Sequence, residues 1–268
     1  MHLKDIFIYP IKSLGGIRVD ESIAGERGLQ YDRRWMLVNN QGKFLSQRTH
    51  PNMALLQVEL KKSGLRVFHK QNRDNEILIP FEPQNSNMMP VQIWDDEVEG
   101  QIVDSGLSRW FSSQLGIECN LVFMPSKVRR KVDPKYAVNA ETVSFADGMP
   151  YLLIGQASLD DLNSRLENPV PMNRFRPNLV FAGGRPYEED EWEELLVGEA
   201  QFRIVKPCAR CIITTTDQES SNRGKEPLKT LATYRKVKNK VLFGQNMIWI
   251  KGEEIRTGAP VRFRNSSE

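Results

Sequence analysis

Two cysteines lie among cations in Lys206-Pro207-Cys208-Ala209-Arg210-Cys211, which runs on into Ile212, Ile213 and three threonines. A Cys-x-x-Cys pair serves as a redox dithiol, as half of a zinc site or as a thiolate ligand to a metal cofactor. A structural zinc takes four Cys or His ligands, and beyond the pair the chain has only Cys119 and the scattered His2, His50 and His69. That ligand count argues against zinc. A thioredoxin-like dithiol opens a helix whose N-terminus stabilises the thiolate, whereas the β-branched run after Cys211 favours a strand. Two readings remain: a pair of structural cysteines, or one accessible thiolate beside Arg210 and Lys206 with an anion held nearby. A soft thiolate suits many transition metals, and spacing does not choose among them.

Other cations fall into comparable settings. Lys12-Ser13-Leu14-Gly15-Gly16 follows a strand that stops at Pro10. A lysine, a hydroxyl and two glycines can wrap a phosphate through side-chain and backbone donors, although the order is not that of a P-loop. Asp32-Arg33-Arg34-Trp35 enters a proposed hairpin and Gln47-Arg48-Thr49 leaves it, so antiparallel pairing brings both to its open end. Arg174-Phe175-Arg176-Pro177-Asn178 sets two guanidiniums just before a strand, and arginine forks suit bidentate phosphate recognition. Each of these residues alone reads as surface charge. Several at strand ends make a composite anion site.

The elements that must position them are mostly short strands, read at 6–9, 35–38, 44–46, 56–60, 65–68, 77–79, 91–94 and 100–103, a spacing that suits a barrel or sandwich. Ser105–Leu115 is a helix with Leu107, Trp110, Phe111 and Leu115 on one face and Gly116 as its stop. Cys119 opens a strand and reads as a small buried hydrophobe. Residues 125–134, with Lys127, Arg129, Arg130 and Lys131, read as a solvated linker or lid, and place a boundary between domains 1–124 and 125–268. Beyond it come strands at 151–154, 179–181, 202–205, 247–250 and 261–263. A helix capped by Ser158 carries Leu159, Leu162 and Leu166, and another covers Leu228–Tyr234. The expectation is a mainly β fold with a few helices (α+β).

Composition adds limits. With 40% hydrophobic and 26% charged residues the chain is globular rather than disordered, and a net charge of +3 gives no argument for nucleic acid. Three cysteines make no disulfide framework, which favours a reducing compartment. The start reads as no signal peptide and no apolar run approaches a membrane span. A soluble cytoplasmic protein without a membrane partner is expected.

Together, Tyr9-Pro10-Ile11-Lys12-Ser13, Asp32-Arg33, Phe145-Ala146-Asp147-Gly148-Met149-Pro150, Arg174-Phe175-Arg176-Pro177-Asn178, Lys206-Pro207-Cys208-Ala209-Arg210-Cys211 and Phe243-Gly244-Gln245-Asn246 resemble the MOSC-domain proteins. Among these the chain is similar to the bacterial hydroxylaminopurine-detoxifying proteins and the mitochondrial amidoxime-reducing components. The resemblance covers nearly the whole chain in the same order. It implies a β-barrel-like N-terminal MOSC domain packed on a β-barrel MOSC domain, with molybdenum-molybdopterin between them. It implies Cys211 as the metal-bound sulfur, with Cys208 a structural neighbour. Contacts to the pterin and its phosphate map to Lys12, Ser13, Arg33, Arg176 and Asn178. Asp147, Gly148, Met149, Ala209 and Arg210 would border the cofactor, with Asp147 a proton donor, an orienting group or a loop cap. The mitochondrial relatives carry hydroxyl residues where this chain has Gly148, Met149 and Ala209.

The activity implied is reduction of N-hydroxylated compounds such as hydroxylaminopurines, hydroxylamines or amidoximes. The cysteine cluster of a fused ferredoxin domain is missing, so electrons are expected from a separate ferredoxin-like protein or flavin reductase. An alternative is a cofactor-binding or sulfur-carrier module resembling the C-terminal part of molybdenum-cofactor sulfurases, without reductase turnover. A third is a MOSC fold that has lost its cofactor.

Overall fold

The structure, a computed structural model, describes residues 1–265. β1 (His2–Ile8) buries Leu3, Ile6 and Ile8 and pairs antiparallel with β2 (Ile17–Val19). The short pair β3 (Glu21–Gly25) and β4 (Gly28–Leu29) leads to β5 (Trp35–Val38), buried at every position. β6 (Leu56–Lys61), β7 (Gly64–His69) and β8 (Asn72–Pro80) form a three-stranded meander, and β9 (Met88–Ile93) and β10 (Asp96–Ile102) a hairpin. α1 (Ser105–Leu115) begins at Asp104, whose carboxylate accepts from the Leu107 N–H, and ends at Gly116 with φ 70°. An acidic N-cap and a left-handed glycine C-cap are the signals that start and stop a helix. β11 (Asn120–Phe123) completes a four-stranded sheet ordered β5-β11-β10-β9.

The second half supplies β12 (Tyr151–Gly155), α2 (Gln156–Ser164), β13 (Leu179–Ala182), β14 (Trp192–Val197), β15 (Ala200–Arg210), α3 (Leu228–Tyr234), β16 (Lys236–Val237), β17 (Lys240–Lys251), β18 (Glu254–Arg256) and β19 (Val261–Asn265). Its sheet runs β19-β14-β15-β17-β12-β13-β1-β2, with β16 alongside β17. The N-terminal strands thus finish a sheet built largely from the second half, while β18 crosses back to pair with β3. One core cluster unites Leu3, Ile6 and Ile8 with Leu153, Phe181 and Phe202; another gathers Trp35, Leu56, Phe111 and Leu121. Mainly β, with three α-helices among the described residues, is the architecture expected. No helix among those residues is long and apolar enough to cross a membrane.

Several local expectations differ from the structure. Residues 44–46 form no strand: Phe44 makes a single bridge to Val38, and the Ser46 carbonyl accepts from the Thr49 and His50 N–H groups, which turns the chain. α2 starts one turn early with Gly155 as its N-cap. Ser158 is instead buried inside the helix, where its hydroxyl donates to Glu189 and accepts from the Tyr187 N–H. The run after Cys211 is a 3-10 turn, Ile212–Thr215, not a strand. Threonine hydroxyls offer the backbone an alternative to a ladder, and here Thr214 Oγ1 donates to the Cys211 carbonyl and Thr215 Oγ1 to that of Ile212. Within the basic run 125–134, Arg130 is buried rather than solvated.

Candidate functional site

Where β15 ends, residues from the separate motifs line one cavity of about 700 Å³. All eleven residues named as site candidates from the sequence line it: Lys12, Ser13, Arg33, Asp147, Gly148, Met149, Arg176, Asn178, Ala209, Arg210 and Cys211. Its wall carries eight cations, the remaining ones being Arg48, Lys206, Lys238 and Lys240, against the single carboxylate of Asp147. Clustered cations in a concave, partly dry site raise the local concentration of anions.

Backbone strain accompanies this convergence. Ser13, Arg33 and Arg176 adopt φ of 68°, 49° and 54°, left-handed values that cost a non-glycine residue energy and that collect at functional sites. Both arginines pack on the Tyr9 ring, with the Arg33 guanidinium 4.3 Å and that of Arg176 4.2 Å from its centroid. Burial pushes the Tyr9 hydroxyl up to about 12 against the pull of Arg176 and Arg33, so it stays neutral. Gly16 must lack a side chain, because a Cβ there would stand 2.4 Å from Tyr9 Cε1. Arg33 Nη1 donates to Asp32 Oδ2 at 2.6 Å and to Asn178 Oδ1 at 3.2 Å, and Nη2 to the Arg176 carbonyl. Asn178, 1% exposed, also accepts from the Leu152 N–H and donates to the Phe7 carbonyl. Its amide therefore ties β12 and β13 to β1 while its face lines the cavity. Burial pushes the Arg176 guanidinium down to about 10, which still leaves it cationic at neutral pH.

On the opposite wall, Lys12 Nζ donates to Asp147 Oδ1 at 2.6 Å and to the Phe145 carbonyl at 2.8 Å. Burial pushes its ammonium down to about 8 despite Asp147. Arg48 donates to Asp147 Oδ2 at 3.2 Å and stacks on Trp94, 4.3 Å from the ring centroid. Desolvation pushes the Asp147 carboxyl up, but its side chain is 56% open, and Lys12 and Arg48 together hold it well below the usual carboxylate range. Asp147 is therefore an anion at neutral pH.

Its loop is fixed by Arg130, 3% exposed, whose guanidinium donates to the Ser144, Ala146 and Asp147 carbonyls and to Asp96 Oδ2. Nothing local in the sequence distinguishes Arg130 from Arg129 and Lys131. Tyr9 and Arg48 were within reach of sequence reasoning, each being part of a quoted motif. Tyr136, which lines the cavity under Lys206 with Nζ 3.8 Å from its centroid, carries no such signal.

The two cysteines are not equivalent. Arg210 Nη1 donates to Cys208 Sγ at 2.9 Å, and Nη2 donates to the Phe175 carbonyl. The guanidinium thus serves Cys208 rather than Cys211. Cys211, half-buried, sits in extended backbone at the start of the 3-10 turn, its carbonyl taken by the N–H and hydroxyl of Thr214. No donor among the described residues bonds its sulfur. Arg210 Nε is buried without a partner among those residues, although buried polar groups are normally satisfied. It is one free donor in the cavity wall.

The MOSC N-terminal beta barrel domain matches residues 1–118 and the MOSC domain residues 140–262. Mitochondrial amidoxime-reducing component 1 of Mus musculus is 34% identical over 96% of this chain and 80% of its own length. The chain belongs to the MOSC family. The Homo sapiens protein of the same name is 31% identical over 96% of this MOSC chain and 81% of its own. Molybdenum cofactor sulfurase of Oryza sativa subsp. japonica is 35% identical over 96% of the chain, which spans only 33% of that longer protein. The MOSC match at residues 140–262 includes the Asp147 loop, Arg176, Asn178 and both cysteines, and the N-terminal match contributes Lys12, Ser13 and Arg33.

Proposed function

We propose that the cavity holds molybdenum-molybdopterin, with Cys211 as the protein's ligand to the metal, and that the protein reduces N-hydroxylated compounds. The observation that carries this reading is the half-buried Cys211 thiol, without a donor among the described residues, lining a cavity with eight cations and one carboxylate. The names of the mammalian relatives agree with it. The fit is chemical. No three His, Cys, Asp or Glu side chains converge to hold a metal among the described residues, so a metal beside Cys211 needs its other ligands from an organic group. A phosphate-bearing pterin suits Lys and Arg partners and the unpaired Arg210 Nε. When bound, the group supplies the two-electron redox centre and its site for substrate oxygen.

The chain's own residues would do the rest. Arg33 and Arg176, held rigid around Tyr9, and Lys12 and Arg210 would hold the phosphate and pterin edge; Ser13, Gly148, Met149 and Ala209 would border it closely. Overall, R–NHOH takes up two electrons and two protons, the N–O bond breaks, and R–NH2 and water leave. Asp147 is already ionised, so its role is to orient Lys12 and Arg48. Lys12, with a proton that exchanges near neutral pH, is the better donor.

The test compares wild type with Cys211→Ala, both made in a host that synthesises the cofactor. Metal analysis and pterin fluorescence should show molybdenum lost from the variant. Loaded wild type with dithionite-reduced methyl viologen should consume 6-hydroxylaminopurine. Equal molybdenum in both proteins removes the ligand assignment, and loaded protein that leaves N-hydroxylated compounds untouched removes the activity. The likeness to the rice sulfurase favours a second reading, a cofactor-binding or sulfur-carrier module without turnover. Transfer of labelled persulfide sulfur to a recipient molybdoenzyme would identify that case.

A further inference from the structure

Lys225, Lys229, Lys236, Lys238 and Lys240 are all exposed, and none forms an ion pair with a carboxylate among the described residues. They occupy one continuous stretch through α3 and the β16–β17 turn. Its only acid, Glu226, is turned inward to accept from the Thr230 N–H. Over the whole chain the charges are nearly balanced, 37 cations against 34 anions, so this stretch stands out for its sign. It also stands beside the thiolate. On β17, Val241 pairs with Lys236 on one side and with Arg210 on the other, one residue before Cys211. Apolar surface is interspersed: Val237 is 56% and Ile212 45% exposed.

We propose that this basic face docks a small acidic one-electron carrier protein. The proposal rests on the reductase reading above, since only a reductase needs electrons delivered to this cavity. Each N–O bond broken takes one electron from each of two reduced carriers, which leave oxidised, with the two protons coming from water. Electron transfer falls steeply with distance, so a carrier must approach near the Cys211 end of the cavity, where Lys238 and Lys240 stand in the wall and α3 packs against the Ile212–Thr215 turn. Complementary charge steers encounter and orients a short-lived complex, and exposed Val237 and Ile212 supply the apolar contact. A single-stranded nucleic acid is the other polyanion to consider, but such ligands use exposed aromatic platforms. The aromatic of this stretch, Tyr234, is instead covered by Arg165, 4.3 Å from its centroid.

The test uses cofactor-loaded full-length protein and the charge-reversal variant Lys225→Glu/Lys229→Glu/Lys236→Glu, none of which lines the cavity. The probes are a reduced plant-type [2Fe–2S] ferredoxin and a flavodoxin, with reduced methyl viologen as a donor that needs no docking. Wild type should bind at least one carrier with an affinity that falls as NaCl rises. The variant should lose about tenfold or more in carrier affinity and in carrier-driven turnover at limiting carrier, the scale of electrostatic steering, while viologen-driven turnover stays within twofold. Unchanged carrier affinity in the variant overturns the proposal. So does an equal loss with viologen, or a face that retains a single-stranded oligonucleotide while binding neither carrier. Failure of wild type with viologen would instead strike the reductase reading, and the binding measurements would still decide the surface.

Discussion

Replacing Arg130 with methionine keeps the aliphatic stem and removes every donor. The Ser144, Ala146 and Asp147 carbonyls lose their partner, and so does the Asp96 carboxylate, whose side chain is 49% exposed and can turn to water. Ser144 and Ala146 are 0% and 6% exposed, so their acceptors have no such recourse. An unmet buried acceptor costs about 1–3 kcal/mol. Removing a guanidinium that was itself expensive to bury returns part of that, leaving a net loss of about 2–4 kcal/mol for two acceptors. At this chain length each kcal/mol moves the melting temperature by about 2 °C, so calorimetry should show a drop of about 4–8 °C. The Asp147 loop loosens with it, and the affinity of the protein for pyrophosphate, measured by titration calorimetry, should fall too. Arg130→Lys, which keeps the charge but not the fork, should recover only part of both. An Arg130→Met protein that melts within about 1 °C of wild type and binds pyrophosphate equally well would refute the assigned role.

Three further expectations concern the same walls. Lys12 should lose its proton as pH rises through about 8. Pyrophosphate affinity should then fall by about tenfold, the low end of a charge-assisted hydrogen bond, and Lys12→Met should abolish that inflection. In the linkage the sign is the opposite for stability: the unfolded chain, with Lys12 at 10.5, holds more protons between about 8 and 10.5, so this group's contribution to folding stability rises with pH across that window. A thermal-unfolding series from pH 7.5 to 10 with Lys12→Met as reference reads it directly. Gly148 has ordinary φ and nothing within 4 Å of a Cβ built on it. Gly148→Ser should therefore leave stability within about 0.5 kcal/mol while placing a hydroxyl in the cavity. A large fall in melting temperature would mean the loop is more tightly packed than it stands here.

Much of the fold was legible. The alternating apolar residues of β6, the buried run of β12 and the Gly116 stop of α1 are local signals, and local structure follows them. Two of the departures share a cause. Ser158 and Arg130 each have a hydrogen-bonding side chain whose partner is set by tertiary contact, Glu189 for the first and a loop 14–17 residues away in sequence for the second. Propensity cannot see such partners, because it sums over neighbours in sequence.

For the site, sequence alone supplied the residue types: a soft thiol, lysines and arginines suited to phosphate, and glycines where a backbone must come close. Those follow from side-chain chemistry and need no coordinates. It could not say that Arg210 would serve Cys208 and leave the Cys211 sulfur without a donor among the described residues, nor that Arg33 and Arg176 would both pack on the Tyr9 ring. Nor could it show that burial would bring Lys12 close to neutral titration while two cations keep Asp147 ionised. Those outcomes depend on which groups are brought together and how much water is removed from between them, and only the joining of β1 to the sheet of the second half decides that.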